Sequence, residues 1–223
     1  LLLLCAAALV SVKKMPAASQ DPFSPLHTRQ MRGAAILLIM LGHVWVHVAH
    51  QAPSIILSGY GVAFFFLLSG FGLSVSAREH HRAITPFLLR RLRRVMVPYW
   101  CTTAIFLALD AALLGKTCSP ATIILTGMGI NMTEATTHID YVRWYITLQL
   151  IWYAIFCVTV LRLPGRRSLV WMGICAVVIF FFDYYVTRQG WAHIFAFPLG
   201  CALGLHSEQI RTALEKHRGL FLS

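Results

Sequence analysis

The run Arg32–Val48, RGAAILLIMLGHVWVHV, sets one arginine and two histidines in a stretch otherwise suited to a core or a bilayer. On a helix, Arg32 and His43 fall within about 20° of each other and about 16 Å apart along the axis. His47 and His50 continue that stripe at i+4 and i+7 from His43. An ionisable side chain at mid-membrane costs about 2.5–3.5 kcal/mol on insertion scales, so such groups face an interior and mark function. Histidine has a reference pKa near neutrality and is the natural general base. His43, one turn deeper than His47, is therefore the candidate base, with Arg32 on the same face at the cytoplasmic boundary. Plainer readings exist for each residue. Arg32 can be a snorkelling flank charge, and His47 and His50 can be interfacial or structural groups. No acidic or cysteine ligand accompanies the three histidines in the same helix, so no metal is expected.

A second basic feature follows in FLLRRLRRVMVPYW, Phe87–Trp100. Arg90, Arg91, Arg93 and Arg94 occupy four of five positions, and Pro98 is expected to open the next span. Arg91 and Arg94, at i and i+3, share one face of a short helix. Arginine suits bidentate phosphate contacts, so a phosphate-bearing donor would dock there. A topology signal or an anionic-lipid patch accounts for the same residues. Upstream, GYGVAFFFLLSGFGLSVS carries Gly59, Gly61, Gly70, Gly72, Ser69, Ser74 and Ser76. Small residues so placed let helices approach closely, or open the backbone to a ligand.

The elements that must position these groups are helices in a membrane. Of 223 residues, 58% are hydrophobic and 12% charged, with a mean hydropathy of +0.69. Soluble domains carry roughly 25% charged residues. The fold class read from this is all-α, a polytopic transmembrane helical bundle. Six apolar blocks approach the length of about 20 residues that a span needs: 33–51, 55–77, 98–115, 142–161, 168–187 and 191–206. The last is short. Basic clusters at Arg29 and Arg32, Arg78 to Arg94, Arg162 to Arg167, and Arg211 to Arg218 alternate with the spans and fall on one side. The positive-inside rule makes that side the cytoplasm of a plasma or inner membrane.

That placement also explains the net charge of +11 and argues against a nucleic-acid partner; lipid is the partner it predicts. Six cysteines form no CxxC pair, and no disulfide framework is expected. The opening LLLLCAAALV reads as the end of a signal peptide or of an earlier span. The chain divides into an apolar lead-in at 1–28, a membrane domain at 29–206 and a basic cytoplasmic tail or loop at 207–223. Between the third and fourth blocks, residues 116–141 are expected to begin with an interfacial or re-entrant helix. Asn131-Met-Thr133 there matches the glycosylation sequon.

Together these residues resemble the membrane acyltransferase-3 family, integral-membrane enzymes that O-acylate surface sugars. An arginine, ten residues and a histidine in the first helix match Arg32 to His43. The family's FFxLSGF is similar to Phe65-Phe66-Leu67-Leu68-Ser69-Gly70-Phe71, and its RRxxRxxxPxY to Arg90 through Pro98-Tyr99. A later W…Y helix resembles WYITLQLIWY, Trp144 to Tyr153. The likeness runs from about Arg29 to at least Tyr153, with weaker support to residue 206. Many relatives have Glu where Gln149 stands, which removes a carboxylate role from that position. The family has about ten spans, so six imply part of a larger fold.

The resemblance implies transfer of an acyl group, commonly acetyl, from acyl-CoA as co-substrate to a hydroxyl of a carbohydrate acceptor, with no bound cofactor. Arg90, Arg91 and Arg94 would hold the donor's phosphates, Arg32 its acyl end, and His43 would be the base. Trp144, Tyr145 and Tyr153 would line an acceptor path, although membrane aromatics also serve as packing or belt residues. Two other readings remain open. One is a transporter that uses the arginine–histidine stripe as a pathway, and the other is an inactive truncated relative. The acceptor sugar and the oligomeric state are not legible in the sequence.

Overall fold

A computed structural model of the chain describes residues 25–49, 53–79, 84–133, 141–188 and 191–216. Its elements are α1 (Pro25–Ala49), α2 (Pro53–Glu79), α3 (Ile84–Leu114), α4 (Pro120–Gly127), α5 (Trp144–Thr159), α6 (Gly165–Phe182), α7 (Ala196–Leu205) and α8 (Ser207–Lys216). Short 3-10 turns at Tyr141–Arg143 and Trp191–His193 lead into α5 and α7, and a π segment, Asp183–Thr187, ends α6. No strand occurs among the described residues. The all-α expectation holds.

Among the described residues, three helices are long and apolar enough to cross a membrane: Gly59–Arg78 in α2, Ile84–Leu114, and Gly165–Thr187. Their outward faces are large and apolar, with Trp100, Phe106, Trp171, Val178 and Phe181 all more than half exposed. A soluble monomer rarely shows such patches, whereas faces of this kind suit the hydrocarbon of a bilayer. The chain is an integral membrane protein.

Two expectations about the spans change. Pro98 does not open a new helix: α3 runs through it, so the arginines and the apolar span form one rod of about 46 Å. Pro is tolerated inside membrane helices because neighbours re-satisfy the freed backbone. The sixth block, 191–206, contains a 3-10 turn and the ten-residue α7. At about 15 Å that helix covers half a hydrocarbon core. Residues 207–216 form α8, which Glu208 ties to Arg78 of α2 at 3.2 Å.

Helix α2 is the axis of the bundle, packed along α1 and α7, and glycine makes both contacts possible. A Cβ at Gly61 would lie 2.8 Å from the Ala35 carbonyl oxygen of α1. Against α7 the fit is tighter still. A Cβ at Gly200 would lie 2.0 Å from the Leu67 oxygen, one at Gly70 2.3 Å from the Phe197 oxygen, and one at Gly204 2.6 Å from the Phe71 oxygen. The small residues of α2 therefore serve close approach, and Gly200 and Gly204 answer them at the GxxxG spacing. Around this crossing lies the core, with Phe66, Trp152, Phe156, Met172, Ile194, Phe197 and Cys201 fully buried.

Residues 115–133 turn back into the bundle. Ser119 caps α4 by accepting from the Thr122 amide at 3.1 Å, with Pro120 in the first turn. The far end of α4 is fixed to α3, where Tyr99 Oη donates to the Thr126 carbonyl at 2.8 Å and Trp100 Nε1 to that of Gly127 at 2.8 Å. Tyr99 lies fifteen residues before Leu114, about 22 Å back along α3. The segment is thus re-entrant, as the sequence suggested. Gly129, with φ of +80°, wedges between α3 and α5, where a Cβ would lie 2.7 Å from Leu150 Cδ1. Thr147 of α5 donates to its carbonyl at 2.7 Å. Non-helical backbone at such depth persists only where protein satisfies it. Asn131 is fully buried and its Oδ1 accepts from Tyr99 Oη at 3.0 Å. The sequon match is therefore no glycosylation site in the folded protein.

Candidate functional site

Arg32 lies two turns into α1 and reaches across to α2, where Nη2 donates to the Leu68 carbonyl oxygen at 3.2 Å. In a helix that carbonyl faces the amide of residue i+4, here Gly72. Gly72 has no side chain to block the approach: a Cβ there would stand 3.2 Å from Arg32 Nη2. The glycine of the FGL stretch and the arginine of the first helix are therefore one feature.

The arginine end of the bundle gathers most of the remaining candidates. Arg91 stacks on Phe87, 5.8 Å from the ring centroid, and Phe87 stacks on Phe156 of α5 at 5.7 Å. One turn further along α5, buried Tyr153 feels the charges of Arg91, Arg32 and Arg94. Arg90, Arg93 and Arg94 are exposed. Tyr145 feels Arg32 and Tyr153 and packs on Phe66 at 4.8 Å. Its hydroxyl donates to Gln149 Oε1 at 3.1 Å. Gln149 thus lies between the two tyrosines along α5. A carboxylate there would pair with the arginine field, whereas the amide brings donors into it.

His43 belongs to a different level. It is half-buried on α1, eleven residues and about 16 Å from Arg32, while the guanidinium points to Leu68 and Gly72. Arg32 and His43 therefore stand at two levels of the bundle. The register of Gly61 against Ala35 and Ile39 puts His43 near the first turn of α2, about one turn beyond Gly59. His47 continues α1, and His50 lies outside the described residues.

The far end holds groups that the sequence reading passed over. His193 lies in the turn before α7, outside the spanning helices, with Cε1 3.3 Å from a Cβ built on Gly59. It stacks on Trp144 at 5.7 Å and 11°, and burial pushes its pKa down, which keeps it neutral. Trp144 is thus joined to an imidazole at the end of the bundle that carries His43. Arg143 is buried, donates to Thr103 Oγ1 at 2.9 Å, and lies 5.7 Å from the Tyr99 and Phe106 rings. Asp183 is buried in the π segment and accepts from the Thr187 hydroxyl. An acid inside FFFDYYV and an arginine at the mouth of an apolar helix were the available signals.

The fold and these two polar levels define a helical membrane protein with a cationic end joined, along α5, to a histidine end. Residues 29–223 match the acyltransferase domain of the Acyl_transf_3 family. The chain belongs to that family, and it is a membrane acyltransferase. No curated protein and no solved structure matches it.

Proposed function

We propose that this chain transfers an acyl group, acetyl in the simplest case, from cytosolic acyl-CoA to a hydroxyl of a carbohydrate or cell-surface glycan. The convergence of Arg32, Arg91 and Arg94 on Tyr153 carries the reading: three cations from two helices bear on one buried group, with His43 about 16 Å beyond. Arg90, Arg91 and Arg94 bind the donor's phosphates at the cytoplasmic face. Arg32 supports the start of the donor's arm, and the arm carries the thioester to His43. There the acceptor hydroxyl oxygen attacks the carbonyl carbon as His43 takes its proton. The C–S bond breaks, and the CoA thiolate leaves with that proton. Trp144 stacked on His193 lines the acceptor side.

The experiment is an acyl-transfer assay on membranes carrying the protein or its His43→Ala variant, with radiolabelled acetyl-CoA and a panel of saccharides. Label should reach a saccharide only with His43 intact, while membrane insertion is unchanged. Full transfer by His43→Ala removes the proposed base. Movement of substrate across the membrane without covalent label would replace the enzyme reading by transport.

A further inference from the structure

One polar ring at the end away from the arginines has no use in the fold. His193 is half-buried in the turn before α7, and neither ring nitrogen makes a hydrogen bond among the described residues. Packing does not demand an imidazole there. The ring stacks on Trp144 at 5.7 Å and 11°, a contact that phenylalanine would keep without polar atoms. Its edge lies against Gly59 of α2, with Cε1 3.3 Å and Nε2 3.8 Å from a Cβ built there. The turn itself lies at the surface: Ala192 beside it is exposed, and Phe195 is 48% exposed. The glycine contacts of α7 with α2 hold it in place, so the ring is presented from rigid elements.

The chemistry of the ring says what it can hold. Burial keeps the imidazole neutral, which leaves it one donor nitrogen and one acceptor nitrogen. Hydroxyl groups, which both donate and accept, are its complement. Two distances then narrow the source. Trp144 stands twelve residues before Phe156 on α5, about 18 Å from the ring stacked with Phe87 beneath Arg91. Donor phosphates held at the arginines are therefore out of reach. His43 is at the same end as His193, but on another side of α2. Gly61 meets α1 and Gly59 meets His193, and two residues are about 200° apart around a helix. The two imidazoles thus flank the start of α2, and one hydroxyl does not meet both.

We infer that His193 binds the acceptor glycan through a hydroxyl on the sugar unit next to the one that is acylated, so that the chain selects oligosaccharide over monosaccharide acceptors. The inference rests on acyl transfer to a carbohydrate at His43 and deepens it. A single sugar at His43 leaves the His193 ring unused. A second unit reaches round the start of α2, where neither Gly59 nor Gly61 adds a side chain, and meets the imidazole edge. Trp144 fixes the plane of that ring, so the direction of its hydrogen bonds is set before the glycan arrives.

The test measures acyl transfer from radiolabelled acetyl-CoA by membranes carrying the full chain, with two sets of acceptors. One set is methyl glucoside, methyl galactoside and methyl N-acetylglucosaminide, and the other is cellobiose, lactose and chitobiose. For the wild type, the KM of a disaccharide should be about three- to tenfold below that of its monosaccharide, as one hydrogen bond implies. His193→Phe, which keeps the stack, should bring the disaccharide KM up to the monosaccharide value. His193→Gln, whose amide donates and accepts, should restore part of the difference. A disaccharide preference that survives His193→Phe, or a loss shared equally by both acceptors and the donor, overturns the contact. A wild type that labels no saccharide would instead overturn the carbohydrate reading beneath it.

Discussion

Substituting Gly200 by alanine tests whether the glycine crossing of α2 and α7 holds the site together. The new Cβ would stand 2.0 Å from the Leu67 carbonyl oxygen and 2.8 Å from its carbon, where ordinary contact begins at 3.4 Å. Both obstacles are backbone, so no rotamer change relieves them, and the helices must part. Overpacking typically costs about 1–3 kcal/mol, and a backbone clash belongs at the upper end. For a chain of this size, about 3 kcal/mol lowers the unfolding midpoint by roughly 6–12 °C. Parting α7 from α2 also draws Phe197 off Trp152 and shifts the α2 backbone that meets Arg32. Thermal unfolding in detergent should rank Gly200→Ala with Gly70→Ala as the most damaging. Gly59→Ala, whose Cβ meets only the His193 ring at 3.3 Å, should be nearly silent. Gly173 on α6 has nothing within 4 Å, so Gly173→Ala should gain about 1 kcal/mol in helix propensity. Equal effects at Gly200 and Gly173 would refute the crossing.

Two further outcomes can be checked with the same protein. Arg32→Met leaves the Leu68 carbonyl to the helix and removes a charge felt by Tyr145 and Tyr153. In the acyl-transfer assay it should raise the donor KM about tenfold, the loss of one charge-assisted contact, with kcat changed less. His193 has a folded pKa below the ordinary value of 6.5 because it is buried. The unfolded chain then binds the extra proton first, so stability is full above that value and falls as pH drops towards the depressed one. Unfolding midpoints of wild type measured across this window should decline with acid, and the decline should be shallower in His193→Phe, which keeps the stack on Trp144.

The helices were legible because apolar runs of twenty residues have few alternatives, and so were Arg32, the α3 arginines and the tyrosines of α5, because polar groups in such runs are conspicuous. What a one-dimensional pattern hides is which way a long side chain leans. Arg32 and His43 share a helical face, which suggested one site, yet the guanidinium extends away from His43 towards Gly72. Pro98 read as a boundary because proline breaks soluble helices, a rule that relaxes in a membrane. Asn131 satisfied a three-residue pattern that carries no information about burial. His193 was invisible for a related reason: only the α2–α7 crossing brings the turn before α7 against Gly59 and Trp144.

The separation of the two polar levels has its own physical logic. A phosphate site requires cations that remain charged, which favours the basic end, where the α3 arginines keep contact with water. A general base requires an imidazole that stays neutral. Placed beside Arg91 and Arg94, His43 would be within reach of every anion that those arginines attract. In the proposed mechanism, removal by about 16 Å of apolar helix leaves it to meet what a long flexible donor delivers. Helix α5, like α1 and α2, touches both levels, through Tyr153 at one end and Trp144 at the other.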